Sequence, residues 1–600
     1  VGEAADEAAW RALVEKGLKG APWSRLVGAT VDGIPLEPLY CEAHFATAGD
    51  PAGFPGAAPF VRGARAGAGA WTIRQAYEHP SPEATNAEIL ADLAGGVRGI
   101  ELVVDGGVTI QSANDLDLAL ADVILEAAPI SLSGANVAIA TLLEAKLKGV
   151  AAPGTAFNLD PIGAAMRTGA FSDSDMKDAT AFAARVRGVL PTATTLRVDA
   201  RPVHEAGGSE AQEIAVAIAS GIAYLRALTG DDGVNIAGAG ATLSFAMSVG
   251  ADVLIETAKL RALRLCWARV MEASGADEAT RAARIHAFTS RRMMTVYDAH
   301  TNILRVTTAA LAGVIGGADA ITTYSFTDAV GLPTAFARRV ARNTQNVLLE
   351  ECRLGHVADP AGGAWFVEEL TQQLAEKAWA LMQEIEAMGG AIAALSDGRI
   401  ARLVAEARDS RERAIATRRE TITGVTDFPL LDTPLPEVTL RRPPRAQSAG
   451  LASIRWAAPF ETLRAQAEAA GTPRVFFANM ATLAEFGPRA QWTRNLFASG
   501  GVGGIGPEDA YPTMEALIDA FRASHARVTV IASTDACYAE HAENAAQRLK
   551  AAGASWVVIA GKPGEREAAF RAAGVDQFVF AGDDALAALA ILHRALGIGA

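Results

Sequence analysis

From about residue 70 the chain alternates short β-branched runs with longer amphipathic ones. Gly99–Val104, Pro129–Leu132, Thr195–Val198, Ile285–Phe288 and Ala320–Tyr324 read as strands, and Ser209–Leu228 and Asp252–Ala273 as helices between them. Strand–helix alternation sustained this long predicts a parallel α/β fold, and a TIM (β/α)8 barrel suits its length. Charged helical sequence follows, as in Glu368–Met388, and then prolines break the pattern at Phe428–Pro436 and Arg441–Arg445. Past them the alternation resumes in strands Arg474–Ala478, Val528–Ser533, Trp556–Ala560 and Gln577–Phe580. Helices Met514–Ala523, Ala539–Ala552, Gly564–Ala573 and Asp583–Leu596 lie between and after these strands. That is a flavodoxin-like unit, whose ligands sit at the carboxyl ends of the strands. The opening is different: a helical run near Ala4–Lys19, then Phe54–Gly63, rich in Pro and Gly, which predicts an extended arm.

The expected division is an arm at 1–65 that meets a partner, a barrel at 66–395, a helical segment and Pro-rich linker at 396–470, and a flavodoxin-like domain at 471–600. Composition agrees with several domains, since half of the 600 residues are hydrophobic and one core rarely outgrows about 300 residues. A net charge of −14 argues against nucleic-acid or anionic-membrane surfaces, which demand a positive field. Four scattered cysteines without CxxC spacing predict a reducing, cytoplasmic setting. No secretory leader pattern precedes the first helix, and the apolar stretches are interrupted by charge, so no membrane span is expected.

Several stretches resemble the cobalamin-dependent acyl-CoA mutases, methylmalonyl-CoA mutase in particular. They are Trp71-Thr-Ile-Arg-Gln75, Ala258-Lys-Leu-Arg-Ala-Leu-Arg264 with Trp267, Gly331-Leu-Pro333, Ala341-Arg-Asn-Thr-Gln345, and Asp359-Pro-Ala-Gly-Gly363 with Val367-Glu-Glu-Leu370. Each is weak alone; five in the family's order are specific. The resemblance implies a barrel followed by a cobalamin-type domain, and radical chemistry shielded from water. It also implies a histidine that ligates cobalt from a D-x-H-x-x-G loop, oriented by the Asp.

This sequence departs from that pattern at the positions that carry the chemistry. The matching loop, Ala478-Asn-Met-Ala-Thr-Leu-Ala-Glu-Phe-Gly487, has neither the His nor the Asp; Glu485 is its only titratable group after Met480, and Gly487 is the candidate surviving glycine. The S-x-L element reads Ser533-Thr-Asp535, and the Gly-Gly reads Ala560-Gly561. His525 precedes a strand, and His541 and His593 fall on helices where exposed positions are expected. In the barrel, Ala76 stands where the family's tyrosine follows Arg-Gln, and Tyr77, one place late, should face away. In Arg201-Pro-Val-His-Glu-Ala-Gly207, Pro202 takes the place of the family's catalytic histidine. His204 then reads as a hydrogen-bonded structural residue.

Arg167 falls where the family's arginine clamps the substrate carboxylate, so a vestigial carboxylate site is expected there and no other catalytic, cofactor or metal residue. Arg62 and Arg65 have the chemistry to meet CoA phosphates, with salt bridges as the plainer reading. Gly238-Ala-Gly240 lacks a third dinucleotide-type glycine, and Gly500–Gly506 lacks the Lys and Ser/Thr of a P-loop, so both read as turns.

The resemblance therefore implies the non-catalytic small subunit of a heterodimeric methylmalonyl-CoA mutase. Its large subunit would bind adenosylcobalamin and interconvert methylmalonyl-CoA and succinyl-CoA. The alternative is a divergent stand-alone acyl-CoA mutase or other barrel enzyme; a transient chaperone-like scaffold is a third reading.

Overall fold

The computed structural model describes residues 6–41, 52–230, 233–442, 449–507 and 509–598. Eight parallel strands close into a barrel in sequence order. They are β1 (Thr72–Tyr77), β2 (Gly99–Val103), β3 (Ile130–Ser133), β4 (Ala156–Leu159), β5 (Thr194–Asp199), β6 (Leu243–Val249), β7 (Ile285–Thr289) and β8 (Ala320–Thr322). The strands are buried almost throughout, as parallel strands are when helices cover one face and the barrel interior the other. Ser81, Ser112, Asn136, Asp160 and Asp252 each cap the following helix through their side chains, so these strand-to-helix turns are written in short polar residues.

Three strands, β1, β4 and β6, are not among the five that the pattern marks. β4 has only four residues, and Asn158 within it takes φ 54° where the register with β5 shifts. An asparagine in the left-handed region reads as a turn, yet here its amide donates to Ser131 Oγ (2.8 Å) and Leu132 O (2.9 Å) on β3. β6 follows a Gly/Ala-rich stretch and carries two serines, which hides its strand character.

The opening is only partly an arm. Helix Glu7–Leu18 has no buried residue, but the hairpin Gly28–Ala29/Pro35–Leu36 is anchored. At its turn, Asp32 accepts from Ser209 Oγ (2.5 Å) and Ala211 N (3.1 Å), at the start of helix Glu210–Gly230. Ala52, Phe60 and Val61 are buried. Arg264 donates to Val61 O (3.0 and 3.1 Å) and also to the Gly317 carbonyl just ahead of β8 (3.3 Å). The Pro/Gly-rich segment thus seals the N-terminal end of this chain's own barrel, because its apolar side chains find a groove there.

Helices Trp365–Ala387, Ala391–Ser396 and Arg399–Ala416 follow the barrel, and the linker returns across it, Leu440–Arg441 pairing antiparallel with Gly331–Leu332. The second domain is a parallel sheet of β9 (Arg474–Asn479), β10 (Gly503–Ile505), β11 (Val528–Ala532), β12 (Trp556–Ala560) and β13 (Gln577–Val579), ordered β10-β9-β11-β12-β13. This is the flavodoxin-like order. The domain begins before residue 471: Trp456, Phe460 and even Ile415 join the core on one face of its sheet. Helix Ala458–Ala469 therefore belongs to it and not to the linker. The one helix long and apolar enough to cross a membrane, among the described residues, is Glu210–Gly230. It belongs to the barrel's helical layer, and 67% of its most apolar window is buried.

Candidate functional site

The first strand of the barrel carries Arg74 inward, where it is wholly surrounded by protein. Contacts between strands that are not neighbours must cross the interior, and they do so at successive levels. Arg74 on β1 donates to Gly154 O (2.9 Å) and lies 3.5 Å from His286 Nδ1 on β7. His286 Nε2 lies 2.8 Å from Thr322 Oγ1. Arg197 on β5 donates to Glu101 on β2 through the interior, past β3 and β4 (2.9 Å), and to Ser131 Oγ (3.2 Å). Burial, then the guanidiniums of Arg74, Arg197 and Arg201, keep His286 neutral by pushing its pKa well below the usual value. Burial also lowers Arg74, to about 10, against the pull of Glu101.

Above this level Phe288 carries Arg201 at 3.8 Å from its ring centroid, and His286 packs at 3.9 Å. At the mouth, Arg291 lies 3.9 Å over Tyr324 and pairs with Glu78 (2.6 Å) and Asp328 (3.1 Å). Arg442 from the linker adds a second cation to the same two carboxylates, bonding Glu78 and, at 2.8 Å, Asp328. Burial would raise the Glu78 carboxyl, but Arg291 and Arg442 outweigh it and hold it down at about 2. The axis of the barrel is filled from base to mouth by charged and aromatic side chains.

The residues singled out in the sequence sit around this column. Arg167, in the last turn of helix Pro161–Thr168, donates to Asp199 Oδ2 (3.2 Å), and its side chain is about one-third exposed, at 36%. Asp199 is held more tightly by Arg201, which reaches both its oxygens at 2.7 Å. Any carboxylate arriving at Arg167 competes with one already there. His204 is buried, 2.8 Å from Ser290 Oγ and 3.5 Å from Glu213; burial, then Arg292 and Lys259, keep it neutral. Pro202 is buried beside it on helix Arg201–Glu205. Tyr77 is fully buried on the face opposite Arg74, under the helices that carry Asp92 and Arg338. Arg62 pairs with Asp359 (3.0 Å) and Arg65 donates to Ala70 O (2.7 Å); both line a cavity of about 40 Å³ at the barrel's N-terminal end. The sequence reading missed Glu101, Arg197 and His286, because charged residues inside short apolar strands signal an interior network only once the register is known.

In the second domain the expected loop after β9 is largely absent. Only Met480, Ala481 and Thr482 separate β9 from helix Leu483–Ser499. Gly487 is inside that helix, where an added Cβ would meet nothing closer than Leu483 Cδ1 at 3.6 Å, so it is not a loop glycine. Glu485 accepts from Thr482 N (3.0 Å) and Thr482 Oγ1 (2.6 Å), which makes it a helix-capping residue. At the carboxyl ends of β11 and β12, Arg489 bonds Ser533 O (3.0 Å) and Asp535 (2.7 Å). Tyr538 accepts from Ser533 N (2.8 Å) and donates to Ala560 O (2.9 Å). A Cβ on Gly561 would lie 3.1 Å from Arg489 and 3.2 Å from Tyr538.

The corrinoid implied by the sequence resemblance finds no imidazole among these residues: the turn Met480-Ala481-Thr482 has none, and Arg489 and Tyr538 pack against Gly561 at the ends of β11 and β12. His525 ends helix Met514–Ser524 at the opposite edge, and His541 is exposed. His593, expected at the surface, is buried and lies 2.8 Å from Gly500 O, because the helix packs that face on the sheet. The glycine runs are structural: Gly238 and Gly240 lie on helix Ile236–Thr242 against Arg187 and Met271. Gly500–Gly506 is more than a turn, since it contains β10.

The sequence profile of the methylmalonyl-CoA mutase family matches residues 29–106 and 102–465. The chain is 41% identical to the methylmalonyl-CoA mutase small subunit of Streptomyces virginiae, covering 98% of this chain and 96% of that protein. It is 33% identical to the small subunit of Propionibacterium freudenreichii subsp. shermanii over 99% and 95%. The methylmalonyl-CoA mutase of Cereibacter sphaeroides is also 33% identical, over 70% of this chain and 64% of that protein. Barrel, flavodoxin-like domain and full-length likeness agree: this chain belongs to the methylmalonyl-CoA mutase family, and it is similar along nearly its whole length to the proteins named as that enzyme's small subunits.

Proposed function

We propose that this chain is the non-catalytic small subunit of a heterodimeric, cytoplasmic, adenosylcobalamin-dependent methylmalonyl-CoA mutase. Its partner large subunit holds the cofactor and interconverts methylmalonyl-CoA and succinyl-CoA; this chain stabilises that subunit and binds neither cobalamin nor metal. The observation that carries the reading is the filled barrel axis, where Arg197 and Glu101 meet across the space an acyl thioester would occupy. The three-residue turn after β9 supports it from the other domain. Helix Glu7–Leu18, with no buried residue and Leu13 largely exposed, is a surface suited to a partner subunit. Arg167 is then a remnant whose carboxylate partner has become Asp199.

The test is reconstitution. Mutase activity and bound cobalamin are measured for the chain alone, for the large subunit alone, and for the two mixed. Activity and cofactor should appear only with the large subunit, and the pair should co-elute at a fixed ratio. Turnover or corrinoid uptake by this chain alone would favour a stand-alone mutase and overturn the proposal.

A further inference from the structure

A crevice of about 220 Å³ lies between the segment after helix Arg399–Ala416 and the carboxyl end of β13. One wall is Thr417, Arg418 and Asp427; the other is Trp492, Phe580 and Gly582, with Asp583 leading into helix Ala585–Leu596. Neither the filled barrel axis nor the centre of the sheet, closed by Arg489 and Tyr538, reaches it.

Arg418 is the unusual member. Its backbone is left-handed at φ 56°, a conformation that a non-glycine residue keeps only where the surroundings enforce it. Its side chain is only 11% exposed. One nitrogen, Nη2, donates to Asp427 Oδ1 (3.2 Å), whereas Nε and Nη1 are buried without a hydrogen-bond partner. Burial lowers its pKa against the pull of Asp427, the mark of a cation incompletely compensated. A buried guanidinium with idle donors is costly unless a ligand completes it.

The acids nearby do not fill that role. Asp427 is shared with Asn495 Nδ2 and the Phe428 amide, and Asp583 accepts from Asp584 N (2.9 Å). The first turn of helix Ala585–Leu596 is already capped, its Ala587 amide donating to Asp584 Oδ1 (2.9 Å) and its Ala588 amide to Asp584 O (2.9 Å), so the anchor of the crevice is Arg418 and not the helix end. Trp492, with Arg418 5.6 Å from its ring centroid, and Phe580 supply flat apolar walls.

We infer that this crevice is a binding site for a small oxyanion-bearing molecule, a carboxylate or a phosphate monoester, with Arg418 as its anchor. The site is separate from the family's catalytic chemistry, and a ligand there would join the linker to the second domain.

Isothermal titration of the full-length chain with inorganic phosphate, succinate and adenosine 5′-monophosphate tests this. At least one probe should bind saturably: phosphate or the nucleotide alone assigns a phosphoryl ligand, and succinate alone a carboxylate. Arg418→Gln should weaken that binding by about tenfold or more. Ala581→Glu, on the exposed lip, leaves Arg418 in place and sets a carboxylate at the entrance, so it should weaken the same probe even if the arginine variant does not fold. Absence of saturable binding by all three probes at millimolar concentration, or unchanged affinity in a folded variant of either kind, would overturn the inference.

Discussion

The barrel axis and the carboxyl ends of the second domain's strands are both packed with protein, but by different means. The barrel retains the eight-stranded parallel closure and fills it with long side chains, Arg74, Glu101, Arg197 and His286, which pair between strands that are not neighbours. The second domain has changed its backbone: the turn after β9 is three residues, and the helix begins where a ligand loop would run. Closure by side chains stakes stability on charge pairing. Closure by backbone stakes it on hydrogen bonds local to the turn.

That difference ranks the consequences of breaking each. Glu101 is wholly buried and Arg197 nearly so, so Glu101→Gln leaves a buried guanidinium uncompensated, with Arg74 beside it. The expected loss is about 3–5 kcal/mol in urea denaturation, while the double variant Glu101→Leu/Arg197→Met recovers most of it, because apolar replacement of a whole buried pair is often neutral. A small loss in the single variant, or no recovery in the double, would contradict a barrel held by paired charge.

The mouth gives a pH signature. Glu78 titrates at about 2, below the ordinary 4.5, because Arg291 and Arg442 outweigh its burial. The unfolded chain therefore takes up this proton first as pH falls. The stabilisation is fully present above pH 4.5 and fades toward pH 2. At neutral pH wild type should exceed Glu78→Gln by up to about 3 kcal/mol, and the gap should narrow on acidification. A gap independent of pH would show that the linker's Arg442 does not act through this carboxylate.

These charges also explain what could be read from the sequence. Period and composition carried the barrel, the second domain and most of its strands, because buried parallel strands are short apolar runs between capped helices. The departures from the family's motifs, Pro202 and a loop without histidine, are visible in one dimension as well. The filling of the barrel is not. Arg74, Glu101 and Arg197 are 27 to 123 residues apart in sequence, and only strand register tells whether a charged residue faces the axis or the helices. Gly487 failed for a related reason: a glycine near a strand end looks like a loop until the capping of Thr482 by Glu485 places it in a helix.

In the second domain, Tyr538→Phe removes an acceptor from the buried Ser533 amide and a donor from Ala560 O. Leaving such groups unpaired costs about 1–3 kcal/mol, which should appear in the urea midpoint followed by Trp492 and Trp556 fluorescence. No corrinoid absorption shift should accompany it, since the turn after β9 still offers no imidazole. A variant that lost no stability would mean that this end of the sheet is not closed by Tyr538.

The smallest effect tests the backbone half of the comparison most directly. Glu485 is exposed and bonds only Thr482 across the turn, so Glu485→Ala removes one half of a capping box and nothing from any core. The contribution is confined to the helix's first turn, so its loss should be the smallest of these effects. The loss should be larger at pH 7 than at pH 3: hydrogen bonds from Thr482 lower the carboxyl's pKa, so it acts as an acceptor above its titration and weakens once protonated. Amide exchange at Leu483 to Gly487 should accelerate in the variant while β9 stays protected. If exchange there is already fast in wild type, these residues form a loop and not the first turn of a helix, and the second domain would be closed, like the barrel, by side chains alone.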